Sequence, residues 1–70
     1  MPLMDDIIEQ IGFNIRTMRE HRGLSQEKLA ALADLHRAYV GQIERGEKNI
    51  GLKNLEKIAK ALGLNVKELL

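Results

Sequence analysis

An all-α domain, a compact bundle of five short helices, is the fold class that this 70-residue sequence predicts. Three observations carry it. Apolar residues recur at steps of three and four, the spacing of one helix face. Glycines and short polar runs interrupt them at intervals that suit short helices. β-branched residues do not alternate with polar ones, so strands have no period-two pattern to form on.

Each element has its own justification. Ile8, Ile11, Ile15 and Met18 share one face of a first helix. His21-Arg22-Gly23 ends it: bases suit the negative end of the helix dipole, and Gly23 accepts a left-handed C′ conformation. Ser25 is an N-cap for the second helix, with Glu27 in its first turn and Leu29, Ala30 and Ala33 as its inner face. Asp34-Leu35 breaks that run. A third helix is predicted from about Arg37 to Arg45, with Val40 and Ile43 inward and Gly46 as its stop. Glu47-Lys48-Asn49 is a polar loop, and Ile50-Gly51-Leu52 leads into a fourth helix with Leu55, Ile58, Ala59 and Leu62 inward. Gly63 follows as its C′ residue, and Asn65-x-x-Glu68 reads as the capping box of a fifth, short helix.

Composition narrows the function classes. Residues 1–70 form a single domain, of which 1–5 are expected to be flexible. A chain this short buries only about 60% of the surface its unfolded form exposes, so it wants an additional staple. With no cysteine, a disulfide and a thiolate zinc site are both excluded, and His21 and His36 are too few for a metal cage. No cofactor or metal is expected. A partner subunit remains, and a homodimer is the simplest version. No apolar run approaches the ~18 residues of a membrane span, and the acidic start lacks the pattern of a signal peptide. A cytoplasmic protein with no membrane association is the expectation. Net charge is +1; residues 1–12 hold Asp5, Asp6 and Glu9 with no lysine or arginine, −3 in all, so the rest carries +4. That is a mild electrostatic footprint, and DNA affinity would have to come from placement of a few cations.

Residues 26–45 have the arrangement of a helix-turn-helix. Two short helices meet at a steep angle only where small residues face each other. Ala30 is small at the crossing, Leu29, Leu35, Val40 and Ile43 fill the space between, and Ala33-Asp34-Leu35 is the turn. Spacing alone also admits a generic helical bundle.

The wording of the sequence is more specific. Leu24-Ser25-Gln26-Glu27-Lys28-Leu29-Ala30, then Tyr39-Val40-Gly41-Gln42-Ile43-Glu44-Arg45-Gly46, then Leu55-x-x-Ile58-Ala59-Lys60-Ala61-Leu62-Gly63, resembles the phage-repressor or xenobiotic-response-element family of helix-turn-helix proteins. Leu35 to Tyr39 followed by Glu44 to Ile50 looks most like the controller proteins of restriction–modification systems. The resemblance implies a lambda-repressor-like DNA-binding domain, a transcriptional regulator that binds double-stranded DNA as a homodimer on an inverted-repeat operator. Two positions depart from the family pattern. Asp34 stands where glycine is usual in the turn, and Gly51 where serine or threonine caps the fourth helix.

The resemblance also implies roles. With 37–45 as the recognition helix, His36, Arg37, Ala38, Gly41 and Gln42 point away from Val40 and Ile43 and can reach the major groove. Arg37 suits guanine and Gln42 adenine, Ala38 could touch a thymine methyl, and Gly41 could allow close approach. His36 either touches phosphate or only ends the turn. Tyr39 either packs inward or reaches a phosphate. Gln26 opens the second helix and, by the family pattern, contacts the DNA backbone; Arg45, Lys48 and Asn49 pass the sugar-phosphate rail. Arg19 and Glu44 match positions that form a largely buried ion pair in relatives. Leu64, Val66, Leu69 and Leu70 either form the two-fold interface or close the monomer's own core.

Two other classes fit the sequence less well. An antitoxin or other small interaction partner on the same fold would need a docking segment, for which only residues 1–10 are available. An enzyme is disfavoured by the absence of cysteine, paired histidines or a glycine-rich phosphate loop.

Overall fold

The computed structural model describes residues 4–70, with side chains from Ile7 onward. Helix α1 is Met4–His21, α2 Gln26–Ala33, α3 Arg37–Glu44 and α4 Leu52–Ala61. The expected fifth helix is a single 3-10 turn, Val66–Leu69, so the bundle has four α-helices among the described residues. Of the flexibility expected for residues 1–5, positions 1–3 lie outside the described residues, and α1 already includes Met4.

Local chemistry explains the boundaries. The Ser25 side chain accepts a hydrogen bond from the Lys28 backbone N–H at 2.9 Å, which satisfies one free donor at the start of α2. Each α-helix is followed closely by a residue with positive φ: Gly23, Asp34, Gly46 and Gly63. The chain then folds back on the helix, as where Leu35 N–H bonds Ala30 C=O at 2.8 Å. Asp34 does this at φ 58° without being glycine, so the turn between α2 and α3 stores backbone strain. Gly51 begins α4 from an extended conformation with no side-chain cap. The capping box at the 3-10 turn forms, with Asn65 N–H donating to the Glu68 carboxylate at 2.7 Å.

The core is one cluster: Ile15 of α1, Leu29, Ala30 and Ala33 of α2, Val40 and Ile43 of α3, Leu55, Ile58 and Ala59 of α4, Leu62 and Leu69. Ala30 is 3% exposed, which fits its expected place where α2 crosses α3. Leu69 is 0% exposed within this core, and Asn14 bonds its carbonyl oxygen at 3.0 Å. The dimer-interface role expected for Leu69 is therefore corrected. The capping box tightens the last turn and tucks Leu69 inward, so its side chain has no surface left for a partner.

One packing contact had no sequence signal. Gly12 lies where α1 presses on the end of α3: a Cβ there would overlap the carbonyl oxygen of Ile43 and sit 3.1 Å from that of Glu44. Backbone meets backbone, so nothing flexible can yield. Gly12→Ala is expected to lower folding stability by about 1–3 kcal/mol. Asp34→Gly, by relieving the left-handed strain, is expected to raise it by up to about 1 kcal/mol. Urea denaturation of both variants checks the two signs, and an unchanged midpoint for Gly12→Ala would show that α1 can lift off α3.

Candidate nucleic-acid interface

The outward face of α3 is built by what its inward face is anchored to. Val40 and Ile43 are buried, which turns Arg37, Ala38, Gln42 and Arg45 away from the core. Together with Gln26 and Gly41 these residues line one open cleft of about 380 Å³. All six were singled out from the sequence. Of these, Arg37 and Ala38 are exposed at the N-terminal turn, Gln42 is half-buried, and Gly41 is buried between Arg45 and Gln26.

Below the cleft lies a polar cluster. Arg19 donates from Nε to one Glu44 oxygen at 2.7 Å and from Nη2 to the other at 3.0 Å. Its remaining Nη1 donates to the Leu24 carbonyl at 2.7 Å. The Glu44 side chain is 2% exposed and that of Arg19 11%. The Glu44 hydrogen bond, opposed by burial and reinforced by the charges of Glu44 and Glu20, raises the Arg19 pKa further above its already basic value. Gln26 adds a third donor, Nε2 to Glu44 at 3.0 Å. One carboxylate thus joins α1, α3 and the first residue of α2.

The remaining predicted residues divide. His36 is the exposed N-cap of α3 and makes no side-chain cap bond, so its imidazole is not spent on the helix. Tyr39 is half-buried against the core, and its hydroxyl accepts from Asn54 at 2.9 Å, which leaves the hydroxyl proton to donate elsewhere. Lys48 and Asn49 are exposed in the loop after α3. Arg45, just past the end of α3, pairs with Glu47 through Nε at 2.8 Å and Nη2 at 3.1 Å. Their hydrogen bond and mutual attraction raise the Arg45 pKa and lower that of the Glu47 carboxyl. Neither Glu47 nor Asn54 stood out in the sequence, because no periodicity marks a partner two residues away in a loop or on the next helix.

The helix-turn-helix model matches residues 15–69. The chain belongs to the helix-turn-helix family of transcriptional regulators. It is 52% identical over 60 residues to control protein C.BamHI of Bacillus amyloliquefaciens, covering 84% of this chain and 74% of that one. It is 46% identical over 65 residues to control protein C.SmaI of Serratia marcescens, covering 93% and 77%. The crystal structure of the restriction–modification controller protein C.AhdI from Aeromonas hydrophila superposes with a TM-score of 0.88 at 45% identity, over 93% of this chain and 97% of that one. The all-helical fold and the controller-like phrase read from the sequence agree with these matches. No described helix is long and apolar enough to cross a membrane.

Removing either Arg19 or Glu44 is expected to cost about 3–5 kcal/mol of folding stability, because the survivor stays buried and uncompensated. The double alanine variant should lose much less than the two single losses combined. A double-mutant cycle by chemical denaturation checks this; additive losses would mean that the two charges do not act as a pair.

Proposed function

We propose that this helix-turn-helix protein acts in the cytoplasm as a homodimeric, sequence-specific controller that binds an inverted-repeat operator, as its restriction–modification relatives are named to do their work of control. The observation that carries the reading is the cleft on α3. Six residues that face away from the core converge there, and Arg37, Gln42 and Gln26 among them offer the hydrogen-bonding groups that base edges and phosphates take.

Arg37 is assigned to a guanine and Gln42 to an adenine, with Ala38 against a thymine methyl. Tyr39 and His36 approach the phosphates on either side of the first turn of α3, and Lys48 and Asn49 follow the rail beyond it. A recognition helix entering the groove by its N-terminal end suits this order.

A dimer places two such helices about 34 Å apart, so half-site centres fall one helical turn from each other. The surface assigned to the two-fold axis is a stripe on α4. Leu52 is 78% exposed, and the exposed Glu56 follows it one turn later on the same side of the helix. The stripe runs on into a cleft bounded by Leu64 and Val66, both partly buried. Leu70, 65% exposed, lies elsewhere, against Ile7, Gln10 and Ile11. Leu52→Asp is expected to give a folded monomer by sedimentation. Leu69→Asp is expected to unfold instead, since Leu69 is inside the core. A Leu52→Asp protein that still sediments as a dimer would place the axis elsewhere.

On DNA, Arg37→Ala is expected to cost about 1–3 kcal/mol and relax preference at one base pair per half-site. Lys48→Ala should weaken all duplexes alike and flatten the salt dependence by about one unit per subunit. Titrations against a selected duplex and a scrambled one, at several salt concentrations, separate the two. Equal losses on both duplexes for Arg37→Ala would reduce it to a phosphate contact.

A further inference from the structure

Resting on the operator reading above, we infer that Arg45 reads a guanine in the major groove, held by Glu47 and admitted by the missing side chain of Gly41, and is not a phosphate clamp. Arg37 and Gly41 step by four along α3, and Arg45, its C-cap residue, continues the same row. Helical side chains lean towards the N-terminus. Arg45 does so strongly: its Nη1 lies 3.1 Å from the point that a Cβ on Gly41 would occupy. The guanidinium thus sits about one turn nearer the groove-entering end of α3 than the position of Arg45 in the chain suggests, as one wall of the cleft that Arg37 and Gln42 also line.

The hydrogen-bond pattern selects what the guanidinium can take. Its Nε–Nη2 edge is engaged by the two Glu47 oxygens. Three hydrogens remain, and two of them, one on Nη1 and one on Nη2, lie side by side at the end of the fork. That pair matches O6 and N7 of guanine. A phosphate is a poor fit, because it would approach a cation already neutralised by Glu47 and would be repelled by that carboxylate. A base edge carries no net charge and meets no such repulsion. Glu47 also holds the arginine in one rotamer, so less side-chain entropy is lost on binding.

Gln26 completes the arrangement. Only its NH2 group can face the Glu44 carboxylate, which turns the amide so that Oε1 lies 3.6 Å from the same empty Gly41 position. An acceptor and a donor are therefore brought to the space that Gly41 leaves open. A side chain at position 41 would enter it and press on the Arg45 head, which would have to give by a few tenths of an ångström.

The test is selection of bound duplexes from a random library by wild type, Arg45→Lys, Arg45→Ala, Glu47→Gln and Gly41→Ala. It is followed by titration against the wild-type site and a scrambled duplex, with circular dichroism to confirm that each variant is folded. Arg45→Lys keeps the charge and loses the fork. It is expected to lose preference for one guanine per half-site, about ten- to hundredfold, with scrambled binding unchanged. Glu47→Gln and Gly41→Ala should loosen preference at that same position, and Glu47→Gln should also tighten scrambled binding. If Arg45→Lys keeps every base preference, or Arg45→Ala weakens both duplexes equally and flattens the salt slope, Arg45 is a phosphate clamp and the inference is overturned. A wild-type protein that selects an inverted repeat under those outcomes leaves the operator reading standing. A wild-type protein that selects no sequence overturns both.

Discussion

The Glu44 carboxylate, buried and answered on both oxygens, is the constraint from which the rest of the architecture follows. Arg19 occupies both oxygens and Gln26 shares one of them. A buried ion pair adds little net stability over an apolar pair of the same shape, but the loss of one partner is expensive. That asymmetry makes it a lock on geometry. Slide α1 along α3 by one turn, and two charges are stranded in the core. Gly12 works on the same contact from the other side, because only a residue without a Cβ lets the α1 backbone rest on the last carbonyls of α3. Charge and shape therefore fix α3 against α1, and the residues that face outward from α3 inherit their positions from that fit. Gln26 carries the fit one step further, since the carboxylate that locks α3 also decides which way its amide points.

What was legible in the sequence is what depends on nearest neighbours along the chain. Ser25, Gly23, Gly46, Gly63 and the Asn65–Glu68 box marked helix ends, because capping is a local exchange between a side chain and the backbone within one turn. The inward faces of α2, α3 and α4 were legible for the same reason. Arg37, Ala38, Gly41 and Gln42 of the cleft followed, since knowing which face is inward settles which is outward; Gln26 came from family wording and Arg45 from its place after the recognition helix. Arg19 with Glu44 came from family wording, because no periodicity links residues on separate helices.

The misses are tertiary. Leu69 and Leu70 look alike in sequence, yet one is 0% and the other 65% exposed. A 3-10 turn rotates successive side chains differently from an α-helix, so a helical wheel drawn through it misplaces Leu69. Leu52 was passed over because it opens α4 outside the spacing of the inward residues. Gly12 was hidden between Ile11 and Ile15, where a glycine reads as a weak point in a helix unless the neighbouring backbone is known. Glu47 read as part of a polar loop because its significance depends on where the Arg45 side chain goes.

The small net charge makes these placements matter more. At +1 the chain has little general attraction for a polyanion, and affinity for arbitrary DNA grows with the number of phosphates neutralised. Glu47 reduces that number by engaging Arg45. Such a surface gains little by merely resting on a duplex and much by fitting one, so discrimination has to come from hydrogen bonds and shape in the groove. A two-fold arrangement sharpens this. If each subunit binds weakly and the contact between subunits is small, occupancy of a paired site rises with roughly the square of subunit concentration. The stripe assigned to the two-fold axis is narrow, which suits that behaviour. Under that condition weak pairing and weak general attraction would together keep such a protein off DNA until its concentration is high enough, and residues outside the recognition helix would set the steepness of that threshold.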